Sequence, residues 1–404
     1  MNLINNQKMG SLQLVNSPYY IQFSDKVNNC LKSAIDNGIY ENYAIDKQIL
    51  PKFIKEKGEI PMWILETACK INKNNIDIPA QYQNIWFCLH NSILRRKQPS
   101  GREFKTKVNF NSCYIVLDKK IRNLLKEACK SINLPTYKFV RLCGFTKVNW
   151  TNENIIPLIA VIKICQILKL DVWNLLEGCE LFSKTQKVGK ITMPTNKKDI
   201  ELIILLIWLR TEGHLELSST HIEINQKNNI NSLISLEKLF VKIFKLNENS
   251  LIFAKSKRGE DRLIISSSPL RQYLSLKYNF PLGYKSGSLI RMELDNLPLD
   301  DYNKILPAFI QTEGCLSRHN TRNKKKYLPR FEFIVKDKAL ANDCVFVMRK
   351  LGFQPSYYEN ENIFKVGLYN SKEVIRLINE TKEYFLDKRK IEHLKGICTN
   401  GIGL

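Results

Sequence analysis

The chain has 404 residues, 44% of them hydrophobic, which suffices for roughly two to four domains with buried cores and excludes a disordered scaffold. Lysine and arginine number 62 against 39 aspartate and glutamate residues, so the formal net charge is +23. Such a charge favours a polyanionic partner, first nucleic acid and second an anionic membrane surface, although a lysine-rich proteome would produce the same imbalance.

Membrane and metal-ribbon classes are disfavoured by the apolar runs and the cysteines. The longest apolar runs, 202–209 and 155–170, are too short or are interrupted by Lys163, so no membrane-spanning segment is predicted. The N-terminus lacks the apolar core of a signal peptide. Eleven cysteines occur without a C-x-x-C pair, and five histidines lack metal-ligand spacing. We therefore expect reduced thiols, no zinc site, no membrane partner and a cytoplasmic protein.

Residues 1–110 are predicted to form an N-terminal helical and basic region. Residues 1–92 favour helices, with a turn followed by a helix that starts at Pro61. The stretch 95–117 carries six basic residues against one acid, Glu103, and its second half alternates like a strand.

Residues 111–182 form the next predicted domain. Short helical patterns from Asp118 onward, broken at Gly144 and separated by polar turns, suit a helix-turn-helix bundle. Over roughly residues 118–178 the order resembles the Cro/C1-type helix-turn-helix family, whose apolar, glycine and proline positions are occupied by Val140, Gly144, Val148, Pro157, Leu158, Ile164 and Leu168. The recognition segment is about two residues shorter than the family's. The resemblance implies base contacts from Thr146, Lys147, Asn149 and Asn152. A small helical bundle that contacts no base is the alternative.

A repeat follows a polar segment. Residues 183–198 contain Gly189 and Pro194 among basic and polar residues, and they are predicted to be an interdomain linker. Residues 199–295 and 296–404 then show the same order of helical and alternating segments, α-β-β-α-β-β-α. The chain is therefore expected to have an α+β fold with a helical N-terminal part and two tandem half-domains.

The first helix of each repeat ends in the same three residues, Thr211–Gly213 and Thr312–Gly314. The glycine in each is expected to take a left-handed conformation at the helix end. If the two helices pack side by side, Glu212 and Glu313 come together and repel unless a divalent cation lies between them. Oxygen ligands suit Mg²⁺, which can activate water and neutralise charge on a phosphodiester.

This arrangement resembles the LAGLIDADG homing endonuclease family, in its monomeric two-motif type, over residues 200–395. The resemblance implies a pseudo-two-fold saddle in which both sheets lie in the major groove of double-stranded DNA. It places the metal on Glu212 and Glu313 and on the backbone carbonyls of Thr211 and Thr312. It also implies a monomer that acts as a dimer within one chain.

The same resemblance assigns further residues to the active site. It places Gln226 and Lys227 near the attacking water, with Val335 and Lys336 as their counterparts in the second repeat. Lys285 and Lys388 would complete the catalytic pocket. The chain departs from the family where small residues let the two motif helices approach, since it has Leu206, Ile207 and Pro307 there, followed by Ala308.

Basic loops supply the remaining candidate DNA contacts. The candidates, some of which flank the strands of the two sheets, are Lys147, Asn149, Lys227, Lys255, Lys257, Arg258, Arg318, Arg322, Lys324 and Lys336. A solvated charged hairpin is the alternative for each loop. Alternating residues such as His221, Glu223 and Asn225 could contact base edges.

Three functions remain open. The leading hypothesis is a site-specific, Mg²⁺-dependent endonuclease that hydrolyses both strands of DNA. The alternatives are a DNA-binding transcriptional regulator that does not cleave, and an intron RNA maturase. The retained acids Glu212 and Glu313 favour the endonuclease, whereas the larger helix-packing residues favour the regulator.

Overall fold

In a computed structural model of the protein, the described residues lie between 20 and 386, with gaps. The described residues are 20–22, 29, 31–33, 59–61, 93–97, 103–107, 113–131, 135–137, 154–168, 170–184, 186, 188–194, 199–216, 221–227, 229–256, 258–278, 280, 294–320, 327–361 and 363–386. The fold mixes helices with antiparallel sheets, as the α+β prediction states. The chain divides into two compact units, residues 1–176 and 177–404.

The first unit contains paired strands and packed helices. Its antiparallel pairs are β1 (Tyr20–Gln22) with β2 (Glu59–Pro61), β3 (Ile93–Lys97) with β4 (Glu103–Lys107), and β5 (Cys113–Val116) with β6 (Ile155–Pro157). Its helices include α1 (Lys119–Ser131), α2 (Leu158–Leu168) and α3 (Val172–Leu175).

Helix α2 is the centre of this unit. Every residue from Leu158 to Gln166 is buried, including Lys163 at 5% exposure, as expected for a helix that is apolar on all sides. Helix α1 packs on it through Ile121 and Leu125. The carboxylate of Asp118 caps α1 by accepting a hydrogen bond from the backbone N–H of Ile121 at 2.7 Å.

The sequence prediction and the structure differ at two proline-containing segments of this unit. A helix is predicted to start at Pro61, but Pro61 ends strand β2 (Glu59–Pro61), and the rest of the predicted helix lies outside the described residues. Ile155–Pro157 is strand β6 where a helix is predicted. Proline lacks an N–H but fits the end of a strand, so the residues before it can extend. The predicted recognition segment, 146–152, lies outside the described residues.

A hairpin begins the second unit, in the segment predicted to be a linker. Strands β7 (Glu180–Ser183) and β8 (Ile191–Thr192) pair, and Ile191 and Met193 are buried. The loop between them is held by side-chain bonds, since the N–H of Ser268 donates to the Gln186 amide oxygen at 2.8 Å. A Cβ on Gly189 would lie 2.5 Å from the carbonyl oxygen of Ser266, so this glycine permits close packing. The residues described between 183 and 194 therefore pack on the unit rather than span a gap.

The helices and strands of the two repeats lie where the sequence patterns predict them. The first repeat contains α4 (Ile200–Thr211), β9 (Gly213–Leu215), β10 (His221–Gln226), α5 (Ile230–Phe244), β11 (Leu251–Lys255), β12 (Asp261–Ser266) and α6 (Ser268–Tyr278). The second contains α7 (Leu299–Thr312), β13 (Gly314–Asn320), β14 (Tyr327–Val335), α8 (Lys338–Lys350), β15 (Ser356–Asn360), β16 (Ile363–Leu368) and α9 (Ser371–Thr381).

Both repeats have the same sheet topology. The strands are ordered β9-β10-β12-β11 in the first sheet and β13-β14-β16-β15 in the second, and all neighbours are antiparallel. One face of each sheet is buried beneath helices, for example through Ile222 and Ile224 in β10 and Phe331 and Phe333 in β14. The opposite face of each sheet is called its open face below.

Helices α4 and α7 pack directly against each other. Leu206 and Ile207 in α4 are 2% and 0% exposed, and Pro307 and Ala308 in α7 are also buried. The larger residues at these positions are therefore buried in the core of this unit. Burial of this apolar surface fixes the two helices side by side.

Two expectations from composition can be compared with the described residues. Among them, no helix is long and apolar enough to span a membrane. Four of the described cysteines, Cys113, Cys129, Cys165 and Cys344, are buried. Burial raises the pKa of the Cys165 thiol to about 12, so this side chain remains a neutral core residue at neutral pH.

Candidate functional site at the paired helix ends

The ends of α4 and α7 have the same backbone geometry. Glu212 and Glu313 are the C-cap residues, with φ and ψ of −100° and −19° in the first and −105° and −3° in the second. The N–H of Glu212 donates to the carbonyl of Trp208 at 2.9 Å, and the N–H of Glu313 donates to that of Phe309. Each acid therefore stands at the end of a helix that packs on the other.

The threonines before the two acids make matching bonds. The hydroxyl of Thr211 donates to the carbonyl of Ile207 at 2.9 Å, and that of Thr312 donates to Ala308 at 2.9 Å. These bonds turn each threonine side chain back along its own helix. The side chains are thereby committed to the helix, and only the backbone carbonyls of these residues suit the ligand position that the sequence resemblance assigns to them.

The glycines serve a different purpose from the one predicted. Neither Gly213 nor Gly314 has a positive φ, so the predicted left-handed conformation is wrong. A Cβ on Gly213 would lie 2.6 Å from the carbonyl oxygen of Leu209, and one on Gly314 would lie 2.6 Å from the Cα of Ile310. Each strand starts against the last turn of its own helix, and only glycine leaves room for that contact.

The register of β10 places Gln226 relative to this turn. Gly213 is paired with Ile224, and Gln226 follows two residues later at the end of the strand. Residues two apart share a face of a strand, so Gln226 lies on the helix side of the sheet with Ile224. The next residue, Lys227, is exposed.

The second sheet has the same register but a different residue. Gly314 is paired with Phe333, so Val335 in β14 is the counterpart of Gln226. Lys336 is the counterpart of Lys227 and is exposed in the same way. This correspondence agrees with the alignment made from the sequence. The two helix ends therefore have equivalent acids but unequal neighbours.

The donor chemistry at the helix ends suits a hard cation. Two carboxylates and two backbone carbonyls belong to Thr211–Glu212 and Thr312–Glu313, all of them oxygen ligands of the kind Mg²⁺ or Mn²⁺ prefers. Glu212 is half-buried and Glu313 is exposed, so both can be reached from solvent. In the part of the chain that the structure describes, no group of three or more His, Cys, Asp and Glu side chains could hold a metal.

Two predicted DNA contacts in the first repeat are placed differently from each other. Lys255 forms an ion pair with Asp261, and both lie on the helix side of the sheet with the buried Leu263 and Ile265. Arg258 is exposed in the β11–β12 turn, where its N–H donates to the Ser256 hydroxyl. Arg258 is therefore available to a phosphate, whereas Lys255 is directed away from the open face.

Several predicted site residues cannot be placed. Arg318 lies in β13, opposite Pro329, and the structure describes only its backbone. Residues outside the described part of the chain are Lys147, Asn149, Lys257, Lys285, Arg322, Lys324 and Lys388.

The open face of the second sheet carries a charged cluster. Glu332 is 8% exposed; it forms ion pairs with Lys365 at 2.6 Å and with Arg330 at 3.7 Å, and it accepts a hydrogen bond from the Tyr369 hydroxyl at 3.3 Å. Burial opposes ionisation of Glu332, but the two cations and the hydroxyl outweigh it and lower the pKa of this carboxyl. Lys365 and Arg330 are thereby held in fixed positions on the face. Lys365 and Tyr369 are not among the residues predicted from the sequence, although Lys365 alternates with the buried Phe364 and Val366.

The open face of the first sheet is ordered by polar contacts as well. The side chain of Arg262 bonds the Glu223 carboxylate at 3.3 Å, and the Ser266 hydroxyl lies 2.9 Å from Nδ1 of His221. His221, Glu223 and Asn225 lie on this face because Ile222 and Ile224 between them are buried. Both open faces therefore carry acidic and basic side chains that contact each other within the sheet.

A buried ion-pair cluster adjoins the end of α4. The Arg210 guanidinium is fully buried and donates to both oxygens of Asp337, from Nε at 3.0 Å and from Nη2 at 3.2 Å. Its Nη1 donates to Asp343 at 2.6 Å. Burial raises the pKa of Asp343 to about 6 from an ordinary value of 3.8, against the opposing effect of the Arg210 cation, and the charges of Asp337 and Asp295 add to the increase.

The raised pKa of Asp343 predicts a pH-dependent stability. Because the folded-state value lies above the unfolded one, this group's stabilising contribution is complete below pH 3.8 and is lost as the pH rises through about 6. Asp343→Asn removes the titration. The variant's unfolding free energy, relative to wild type, should increase between about pH 4 and pH 7.5 by about 2 kcal/mol, allowing for partial solvent exposure. Urea unfolding at both pH values measures this difference, with the exposed Asp300→Asn as a control. A difference that is independent of pH would contradict the prediction.

Solved structures that resemble this chain include LAGLIDADG homing endonucleases and the LAGLIDADG domain of WhiA. Full-length DUF199/WhiA from Thermatoga maritima is 14% identical over 51% of this chain and 63% of that chain, with a TM-score of 0.32. The meganuclease I-AabMI bound to uncleaved DNA is 15% identical over 48% of this chain and 88% of its own, with a TM-score of 0.34. I-DmoI in complex with DNA and Mn is 15% identical over 46% of this chain and 97% of its own, with a TM-score of 0.32. The chain thus spans less than two thirds of the WhiA chain. No family model and no curated protein matches it.

Proposed function

We propose that this protein is a site-specific endonuclease that cleaves double-stranded DNA with a divalent cation. One observation carries the proposal. Two packed helices end in Thr-Glu-Gly with the same cap geometry, the same threonine bond and the same close strand approach. A single helix that ends in Thr-Glu-Gly is explained by helix capping alone. Two such helices packed against each other concentrate negative charge at their ends, where a cation can bind.

The proposed architecture follows from the duplicated topology. Residues 199–295 and 296–404 are two LAGLIDADG-like half-domains related by a pseudo-two-fold axis between α4 and α7. The chain then acts as a monomer with two half-sites. Residues 111–182 would add a helix-turn-helix domain that contacts DNA beyond the half-domains, with Lys147 and Asn149 as its candidate base contacts.

Each proposed active-site residue has one task. Glu212 and Glu313, together with the backbone carbonyls of Thr211 and Thr312, would hold Mg²⁺, which when bound would supply positive charge opposite the scissile phosphate. Gln226, at a strand end on the helix side, donates or accepts hydrogen bonds that orient the attacking water. Lys285 and Lys388 would complete the pocket by contacting the phosphate.

The DNA surface is proposed to be the two open faces with their flanking basic residues. The net charge of +23 supports a phosphate-binding surface. Lys227 and Lys336 stand exposed at equivalent strand ends, and Arg258 is exposed at the hairpin. Arg330 and Lys365 are fixed by Glu332, so they reach a partner with little loss of side-chain freedom.

A cleavage selection tests this function. The wild-type protein is incubated with a randomised duplex library in Mg²⁺ and in EDTA, beside the double variant Glu212→Gln/Glu313→Gln. We expect metal-dependent cuts at one long sequence by wild type and none by the variant. Enrichment of bound duplexes without cuts would favour a transcriptional regulator instead, and co-purifying intron RNA would favour a maturase.

A further inference from the structure

Arg210 connects the end of α4 to the other repeat. Its three bonds go to Asp337 and Asp343, which lie 127 and 133 residues further along the chain. Asp337 is the N-cap of α8, where its carboxylate also accepts from the N–H of Leu340 at 3.1 Å. The capping bond fixes Asp337 independently of Arg210, so the guanidinium is held by a rigid partner.

The counterpart of Arg210 in α7 is Gln311, which makes a different connection. The amide oxygen of Gln311 accepts from the N–H of Leu386 at 2.9 Å, within its own repeat. The end of α4 is thus tied to the other repeat by charge-assisted bonds, whereas a side-chain bond ties the end of α7 to its own. The residues near the two acids also differ between the repeats, since Val335 in the second sheet occupies the position of Gln226 in the first.

We propose that Arg210 is a positioning residue for Glu212, and that the Glu212 half-site therefore depends on this ion pair while the Glu313 half-site does not. This inference rests on the proposed function. Arg210 is separated from Glu212 by a single residue, and the N–H of Glu212 closes the same helical turn through Trp208. Loss of the guanidinium geometry would release that turn and leave two carboxylates without their partner. A displacement of about 1 Å at a reacting group lowers a rate by up to about 100-fold.

Arg210→Lys keeps the charge and removes the forked geometry, which makes it the direct test. Arg376→Lys is the control, because the Arg376 guanidinium is likewise held by a bond within the protein: it donates to the backbone carbonyl of Leu351 and stacks on Phe353 in the second repeat. The first measurement is hydrogen exchange of metal-free protein. In Arg210→Lys, amides of the last turn of α4 should exchange at least about tenfold faster, and those of α7 should be unchanged. Arg376→Lys should leave both turns unchanged.

The second measurement separates positioning from general destabilisation. Single-turnover nicking of each strand is followed on a supercoiled plasmid that carries the selected target sequence. Arg210→Lys should lower the nicking rate of one strand by about 10- to 100-fold and leave the nicking rate of the other strand within about threefold of wild type. Equal slowing of both strands would overturn the inference, as would unchanged exchange in α4.

Asp343→Asn keeps the test decisive if Arg210→Lys does not fold. This variant removes one charged partner of Arg210 and leaves the bonds of Arg210 to Asp337 in place, and its stability is measured by the urea unfolding described above. A purely structural role predicts a rate that follows stability, whereas the positioning role predicts at least about threefold slower nicking of the same strand. Nicking of both strands at the wild-type rate would overturn the inference. A wild-type protein that binds the library but cuts no duplex would instead overturn the proposed function, and this inference with it.

Discussion

Glu212→Gln and Glu313→Gln are each expected to reduce DNA cleavage by at least about 100-fold while duplex affinity stays within about threefold. Glutamine keeps the size of the side chain and its place at the helix end but removes the charge that holds a cation. The open faces of the sheets and their basic residues are unchanged, so DNA contacts remain. Single-turnover cleavage in Mg²⁺ and duplex binding in EDTA measure the two quantities separately.

Glu380→Gln is the control for these variants. Glu380 lies in α9 and pairs with Arg376 on the protein surface, so the same chemical change is made at an acid that caps neither α4 nor α7. It should affect neither cleavage nor binding. If Glu212→Gln lost binding and thermal stability together, the acids would be structural caps rather than metal ligands.

Gly213→Ala and Gly314→Ala are each expected to destabilise the second unit by about 3 kcal/mol or more. The added Cβ would lie 2.6 Å from backbone atoms of Leu209 or Ile310, and backbone atoms in a packed helix cannot move aside as a side-chain tip can. Urea unfolding monitored by circular dichroism measures the change in free energy of unfolding.

Gly259→Ala is the matched control for the glycine variants. Gly259 has a φ of +79° in the β11–β12 turn, and nothing lies within 4 Å of an added Cβ. Alanine there costs only the strain of the left-handed conformation, about 1 kcal/mol. If Gly213→Ala cost no more than Gly259→Ala, the strand would not approach the helix as closely as the structure shows.

Local patterns were sufficient to predict most of the second unit. Apolar spacing of 3.6 in helices such as Ile230–Phe244, and alternation in strands such as His221–Gln226, record which side of each element is buried. The duplicated Thr-Glu-Gly drew attention to Glu212 and Glu313 for the same reason, because both the motif and its surroundings repeat. The equivalence of Gln226 and Val335 in the two repeats also followed from counting residues along the corresponding strands.

Residues 183–194 show where local patterns were insufficient. Their polar composition predicts a linker, yet they form the β7–β8 hairpin and pack on residues 266–268. A polar composition indicates only that a segment is exposed to solvent on average, whereas this segment is held by a few specific bonds to residues about 80 positions away. Lys255 shows the same limit, because its pairing with Asp261 across the sheet decides the side on which it lies.

The order of elements in each repeat, the acids at the two helix ends and the basic character of the chain could all be predicted, since they depend on residue type and on spacing within about 15 residues. The reason that residues 213 and 314 are glycines, and the partners of Arg210, could not be predicted in this way. Both depend on distances between atoms that pack together in the folded chain, and Arg210 and Asp337 are 127 residues apart in sequence. Contacts of that kind form when apolar faces are buried and the backbone is fixed, and no local periodicity records them.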